Sequence, residues 1–207
     1  MRERPILLNG YMVRAVLNGS KTQTRRIMTP QPADDIHRHV FPNRDVQGWF
    51  SSLKHKHGPT TAHICPFGAV GDRLWVRETF SVVPRTAYAA SEGVQQVIRP
   101  DDNHDAAIFR AGWEHSTGGI RWRPSIHMLR WASRITLEIT GVRVERLASV
   151  SNEDARAEGY LADRAADGGN SDPWLWFRDL WDGIYPEQSF KVNPWVWVIE
   201  FKRVEGE

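Results

Sequence analysis

Eight residues near the start of the chain, Gly19-Ser20-Lys21-Thr22-Gln23-Thr24-Arg25-Arg26, constrain the fold more than any other stretch. They pack a lysine, two arginines and several hydroxyls between an apolar helical pattern and a β-like run. A strand needs no such density of polar chemistry in order to fold. The stretch reads as the wall of a pocket for something anionic or rich in hydrogen bonds, a nucleotide above all.

The flanking residues set its geometry. Pro5-Ile6-Leu7-Leu8 reads as a short strand. Asn9 is a helix cap, and Met12/Val16 with Val13/Leu17 are apolar pairs at helical spacing. Asn18-Gly19 stops that helix after about two turns, because both residues tolerate the left-handed cap. A strand over Thr22 to Met28 then places Thr22, Thr24 and Arg26 on one face and Gln23 and Arg25 on the other. Lys21 reaches Thr24 only from a turn or a bulge.

Residues 29–70 carry Pro30, Pro32, Pro42, Pro59 and Pro66 with weak patterning, and read as a long loop or insertion. His55, His57, His63 and Cys65 lie there with spacing that could bind zinc; the alternative is a histidine-rich loop, and no metal is assigned. After the Gly71-Asp72 turn, Arg73 to Phe80 reads as a strong strand. Its aliphatic face carries Glu78, either at a solvent-facing strand end or buried with a partner such as a cation of the opening stretch.

Residues 83–121 form a second irregular region, with a short strand at Ala107 to Arg110. Next, Arg121, Trp122 and Arg123 lead a segment of cations interleaved with indoles. It suits phosphate contact plus base stacking, or is a surface loop pinned by its tryptophans. Ala132 to Leu147 is the clearest β region, broken at Thr140-Gly141. The span 121–146 holds six arginines and two glutamates, the best basic patch in the chain. Ser151 to Gly159 is a capped helix with Glu158 against the negative end of its dipole, either a solvent-facing residue at little cost or one kept for a task beyond folding. Asp172-Pro173 starts a helix through Ile184, whose stripe Trp174, Phe177, Leu180, Trp181 and Ile184 is read as core. Asn193-Pro194 opens a last strand, Trp195 to Val204.

At 207 residues and 41% hydrophobic content the chain suits one domain with a good core. Ten tryptophans are unusual and read mostly as core anchors. A net charge of +2 permits nucleic-acid binding without implying it. One cysteine, no bilayer-length apolar run and no signal-peptide core together predict a cytoplasmic protein without membrane contact.

Gly19-x-Lys21-x-x-Thr24-x-Arg26 resembles the signature of ASCH domains, small β-barrels related in fold to RNA-binding PUA domains. Gly71 to Glu78 resembles the family's Gly-Asp-apolar strand. Glu153 to Gly159, followed by Trp195 to Phe201, resembles its helix and closing strand. Cys65-Pro66-Phe67-Gly68 ahead of the strand is similar to long members found in phages and prophages. The resemblance implies one α+β domain over 1–207, a PUA-like barrel with short flanking helices and insertions at about 29–70 and 83–121.

One branch of that family hydrolyses N4-acetylcytidine with a lysine, a threonine and a glutamate, which correspond to Lys21, Thr24 and Glu158. The resemblance thus implies a Thr24 nucleophile activated by Lys21, with Glu158 protonating the leaving amine or holding the lysine. No cofactor is implied. Arg25, Arg26, Arg77, Glu78, Arg121, Trp122 and Arg123 are the residues expected to bind the nucleotide. The partner is a nucleoside or single-stranded RNA. Two other activities stay open, a non-catalytic module for RNA or a modified nucleobase and a ribonuclease.

Overall fold

The computed structural model describes residues 1–32, 49–55, 58–115, 118–160 and 172–204, with the backbone path alone at 49–55 and 58–63. The elements in chain order are β1 (Glu3–Leu7), α1 (Gly10–Leu17), β2 (Gln23–Ile27), β3 (Trp49–His55), β4 (Gly58–Ile64), β5 (Arg73–Arg77), β6 (Phe80–Pro84), β7 (Val97–Ile98), β8 (Asp105–Phe109), β9 (Thr136–Arg146), α2 (Asn152–Ala157), α3 (Pro173–Ile184) and β10 (Trp195–Val204). This is the α+β class expected from the sequence. Five strands form a mixed sheet in the order β1-β5-β9-β10-β2, parallel only between β1 and β5. A smaller antiparallel sheet runs β6-β8-β7, and β3 and β4 pair as a hairpin.

The local signals explain most of these boundaries. The Asn9 side chain accepts the Met12 N–H at 2.9 Å, and Gly19 adopts φ +80° beyond the end of α1. Ser151 and Asp154 form a reciprocal capping box at α2. Asp172 accepts the Trp174 and Leu175 N–H groups at α3, with Pro173 in its first turn. The regions read as irregular differ from expectation. The hairpin falls within 29–70 and β7 within 83–121, whereas β8 overlaps the short strand expected at Ala107 to Arg110. Ser51, Ser52, Lys54, Thr60 and Thr61 give the hairpin no apolar alternation, so its ladder has no hydrophobic signal in the sequence.

The strand expected over Arg73 to Phe80 is two strands in different sheets, with Glu78 and Thr79 at the corner. Leu74 and Val76 enter the core, and Glu78 on the same face is 1% exposed. Its partner is Arg134, through bonds of 2.8 and 2.9 Å, and not a cation of the opening stretch. Arg134 also donates to the Ala111 carbonyl at 3.0 Å and lies over the Phe109 ring. By contrast, β9 continues through Thr140-Gly141, where β10 shifts register between Glu200 and Phe201. A Cβ on Gly141 would stand 2.5 Å from the Glu200 carboxylate, so glycine lets the two strands meet.

β10 is buried on both faces and divides the core. Trp195, Trp197, Ile199 and Phe201 pack with α1, β5 and the first half of β9. Val196 and Val198 pack with Leu147, Phe177 and Trp181 under α3. A strand covered on both sides reads as a continuous apolar run, as this one does. On α3, Phe177 and Trp181 are core as expected, but Ile184 is 39% exposed and Trp176 is buried against Tyr160 instead.

The Glu78–Arg134 pair sets a stability test. Removing one partner of a buried ion pair strands the other charge, at about 3–5 kcal/mol. Arg134→Met is expected to lower stability by that amount in urea melts, and Glu78→Met added to it is expected to restore most of the loss.

Candidate functional site

β2 is an edge strand, and both of its faces matter. Thr24 pairs with Ile199 and so faces the core under α1, whereas Arg25 pairs with Val198 and faces the side of α2 and α3. Lys21 lies just before the strand and bridges to Glu158 at the end of α2. The Lys21 N–H donates to the Ala15 carbonyl at 2.9 Å and the Thr22 N–H to that of Ala157 at 2.8 Å. Gly159 turns the chain there with φ +107°, and a Cβ on it would stand 2.9 Å from that of Ala15. Tyr11 secures the turn by donating its hydroxyl to the Gly159 carbonyl at 2.6 Å.

The ammonium of Lys21 is fully buried. It donates to Glu158 Oε2 at 2.7 Å and to the Glu158 carbonyl at 2.9 Å. Arg25, also buried, meets Glu158 Oε1 and Asp154 Oδ2 at 3.2 Å each and Glu145 Oε2 at 3.3 Å. Its guanidinium stands 5.6 Å from the centre of the Phe177 ring. Arg143 extends the network outward to Glu145, to Asp154 at 2.9 Å, and to Glu200. Gln23 adds a bond of 3.0 Å to Asp154. Four carboxylates thus enclose three cations, and most charges touch two or more partners.

Burial disfavours the charged form of Lys21 and pulls its pKa below the usual lysine range, with Arg25 and Arg26 adding to the effect while Glu158 opposes it. Burial alone would raise Asp154. Bonds from Gln23 and the Ser151 N–H, with Arg25 and Arg143 nearby, outweigh it and hold that carboxyl at about 2.

A small pocket opens at the β2 edge between these groups and the C-terminal half of α3. Thr24, Arg25, Arg26 and Glu158 form one wall, and Leu180 and Tyr185 are part of the other. Its volume is about 10 Å³, enough for a single water. Among the described residues the Thr24 hydroxyl has no hydrogen-bond partner. Arg26 donates to the Leu7 carbonyl at 2.7 Å and to the Tyr185 hydroxyl at 3.4 Å.

The structure therefore gathers Lys21, Arg25 and Glu158 in direct contact and sets Thr24 and Arg26 on the same pocket. It does not bring the other expected residues there. Arg77 donates to the Met128 and Ile126 carbonyls and lies over Trp75, clamping the loop before β9. Glu78 is taken by Arg134. The Arg121 carbonyl accepts the Ser81 hydroxyl, Trp122 lies under Arg110, and Arg123 pairs by backbone with Phe80. The basic excess of 121–146 is dispersed, with Arg130 on Glu3, Arg134 on Glu78 and Arg143 in the buried network. Sequence reasoning missed Gln23, Arg143, Glu145 and Asp154. The alternation of Arg143 and Glu145 on one strand face was the available signal, while Asp154 reads in sequence only as a cap.

Cys65 is a core residue whose thiol burial pushes up to about 11. His57 and the side chains of His55 and His63 lie outside the described residues, and among those described no group of three or more histidine, cysteine or acidic side chains is placed to hold a metal. No helix among them is long and apolar enough to cross a membrane. Compared with protein-family models, curated proteins and solved structures, the chain matches none, so the reading of the site rests on its own geometry.

Two outcomes follow from the network. A depressed carboxyl pKa contributes stability that is present above the unfolded value, 3.8, and is lost as pH falls through about 2. Thermal melts across that window are expected to show an acid loss that Asp154→Asn flattens. Gly159→Ala forces a left-handed backbone and a clash at Ala15, and is expected to cost about 1–3 kcal/mol in chemical denaturation.

Proposed function

We propose that this chain is an ASCH-type protein whose five-stranded sheet is the wall of a PUA-like barrel, and that it hydrolyses N4-acylated cytidine or a related modified base. The observation that carries the reading is the convergence of Lys21 and Glu158, 137 residues apart, at 2.7 Å beside the pocket lined by Thr24. Desolvation that lowers the Lys21 pKa is what a general base needs near neutral pH.

In this reading the Thr24 hydroxyl oxygen bonds to the acyl carbonyl carbon, and its proton passes to neutral Lys21. The C–N bond then breaks, and Lys21 returns the proton to the leaving exocyclic nitrogen, with Glu158 holding the ammonium in line. Water next adds to the Thr24 ester, releasing the carboxylic acid and restoring the hydroxyl. Arg25 orients the Glu158 carboxylate through its contact of 3.2 Å with Oε1. A pocket of about 10 Å³ is too small for a base, so substrate entry requires the end of α3, with Leu180 and Tyr185, to move outward.

A second reading, a non-catalytic module for RNA or a modified nucleobase, is favoured by the same small volume and by the two hydrogen bonds that tie the Lys21 ammonium to Glu158. No observation favours a ribonuclease.

Turnover of N4-acetylcytidine, followed by loss of the acetylated chromophore, decides between them. We expect hydrolysis that rises with pH as Lys21 deprotonates. Thr24→Ala and Lys21→Ala are expected to reduce it about 10²- to 10⁴-fold. An inert wild-type protein that still binds the nucleoside would establish the second reading.

A further inference from the structure

A second groove lies away from the Lys21 pocket. It has a volume of about 480 Å³, within the range of small-molecule sites, and its walls come from both ends of the first 114 residues. Gly10 and Arg14 of α1 form one side; Thr79, Arg110, Trp113 and Glu114 complete it. The sequence singled out none of these six for a ligand.

The chemistry of the walls is specific. Arg14 and Arg110 each lack a carboxylate within 4.0 Å among the described residues. Two guanidinium groups from distant parts of the chain thus share one concavity with a single carboxylate, Glu114, which lies within 4.0 Å of neither. The start of α1 adds the positive end of a helix dipole to the same wall. Trp113 supplies an aromatic surface. Its ring is fixed edge-on by Tyr88, His115 and Trp122, at centroid distances of 5.1, 5.5 and 5.4 Å. A platform that is already held loses little entropy when a ligand stacks on it. Gly112 turns the chain between Arg110 and Trp113 with φ +83°, which brings cation and indole to one side.

We infer that this groove binds a nucleoside phosphate, with the phosphate between Arg14 and Arg110, the base against Trp113, and the Thr79 hydroxyl and Glu114 carboxylate toward the sugar. The site is separate from the Lys21 pocket and does not depend on hydrolysis there. α1 stands between the two, with Met12 lining one and Gly10 and Arg14 the other. The same phosphate and base chemistry is offered by a free nucleotide and by a nucleotide within a single strand.

Titration calorimetry on the full chain tests the inference with adenosine 5′-monophosphate, a five-residue oligoadenylate, adenosine and inorganic phosphate. Adenine carries no N4-acyl group, so the probes are not substrates of the proposed hydrolysis. Saturable binding is expected for the monophosphate or the oligomer, whichever is the source, and weaker binding for adenosine and for phosphate alone. Arg14→Ala and Arg110→Ala are each expected to weaken binding about 10-fold, the scale of one charge-assisted contact. Both positions are exposed, so the variants should melt like the parent; Thr24→Ala, an uncharged change in the other pocket, should leave the affinity unchanged. Absence of saturation with both nucleotide probes, equal affinity for phosphate and the monophosphate, or loss of binding in Thr24→Ala but not in the two arginine variants would overturn it.

Discussion

The contact on which the rest depends is the buried meeting of Lys21, Glu158 and Arg25. Transfer of these charges out of water costs several kcal/mol each, and only close, hydrogen-bonded pairing offsets that. The cost is met by position. Glu158 stands at the end of α2, where the helix dipole alone would disfavour it, and two cations more than compensate. α2 is therefore fixed to the start of β2, Gly159 must turn tightly against Ala15, and Tyr11 must reach the turn. Much of the local backbone is explained by the need to keep one carboxylate between an ammonium and a guanidinium.

The network also separates two tasks that one polar cluster would otherwise mix. Arg25, Asp154, Glu145 and Arg143 pair with one another and form the base of the site, with Arg25 Nε left without a hydrogen-bond partner. Thr24 and Arg26 face the pocket from the opposite side of the same strand. A strand within the sheet could not present both faces to one cavity, because its neighbours would cover the edge. β2 can, because it ends the ladder. The position of β2 is as much a part of the site as its residues.

Much of this was legible in the sequence, for identifiable reasons. The caps at Asn9, Ser151 and Asp172 each use side-chain oxygens on backbone N–H groups a few residues away, and local chemistry can be read locally. The limits of α3 and β10 follow from Pro173 and Pro194 in the same way. Partner choice across the chain was not legible. Glu78 could be seen to need a cation, but whether Arg134 or the opening stretch supplied it depends on where β5 turns into β6. The run from Arg121 to Arg146 looked like one basic surface, yet its charges go to three different carboxylate groups on separate elements. Net charge along a segment carries no information about which face each side chain takes. Lys21, Thr24 and Glu158 were grouped only through a resemblance; in the structure two of them touch and the third stands across the strand.

The non-sequential ladder has a consequence for how the molecule is made. β2 is synthesised long before β10, its sheet neighbour among the described residues. Lys21 likewise waits for Glu158, 137 positions downstream. A nascent chain must keep an amphipathic strand and a desolvation-prone ammonium hydrated until those later segments have been made, since closing so long a loop pays back only when both ends exist. The polar density of residues 19–26, which marks the site, also keeps that waiting strand soluble.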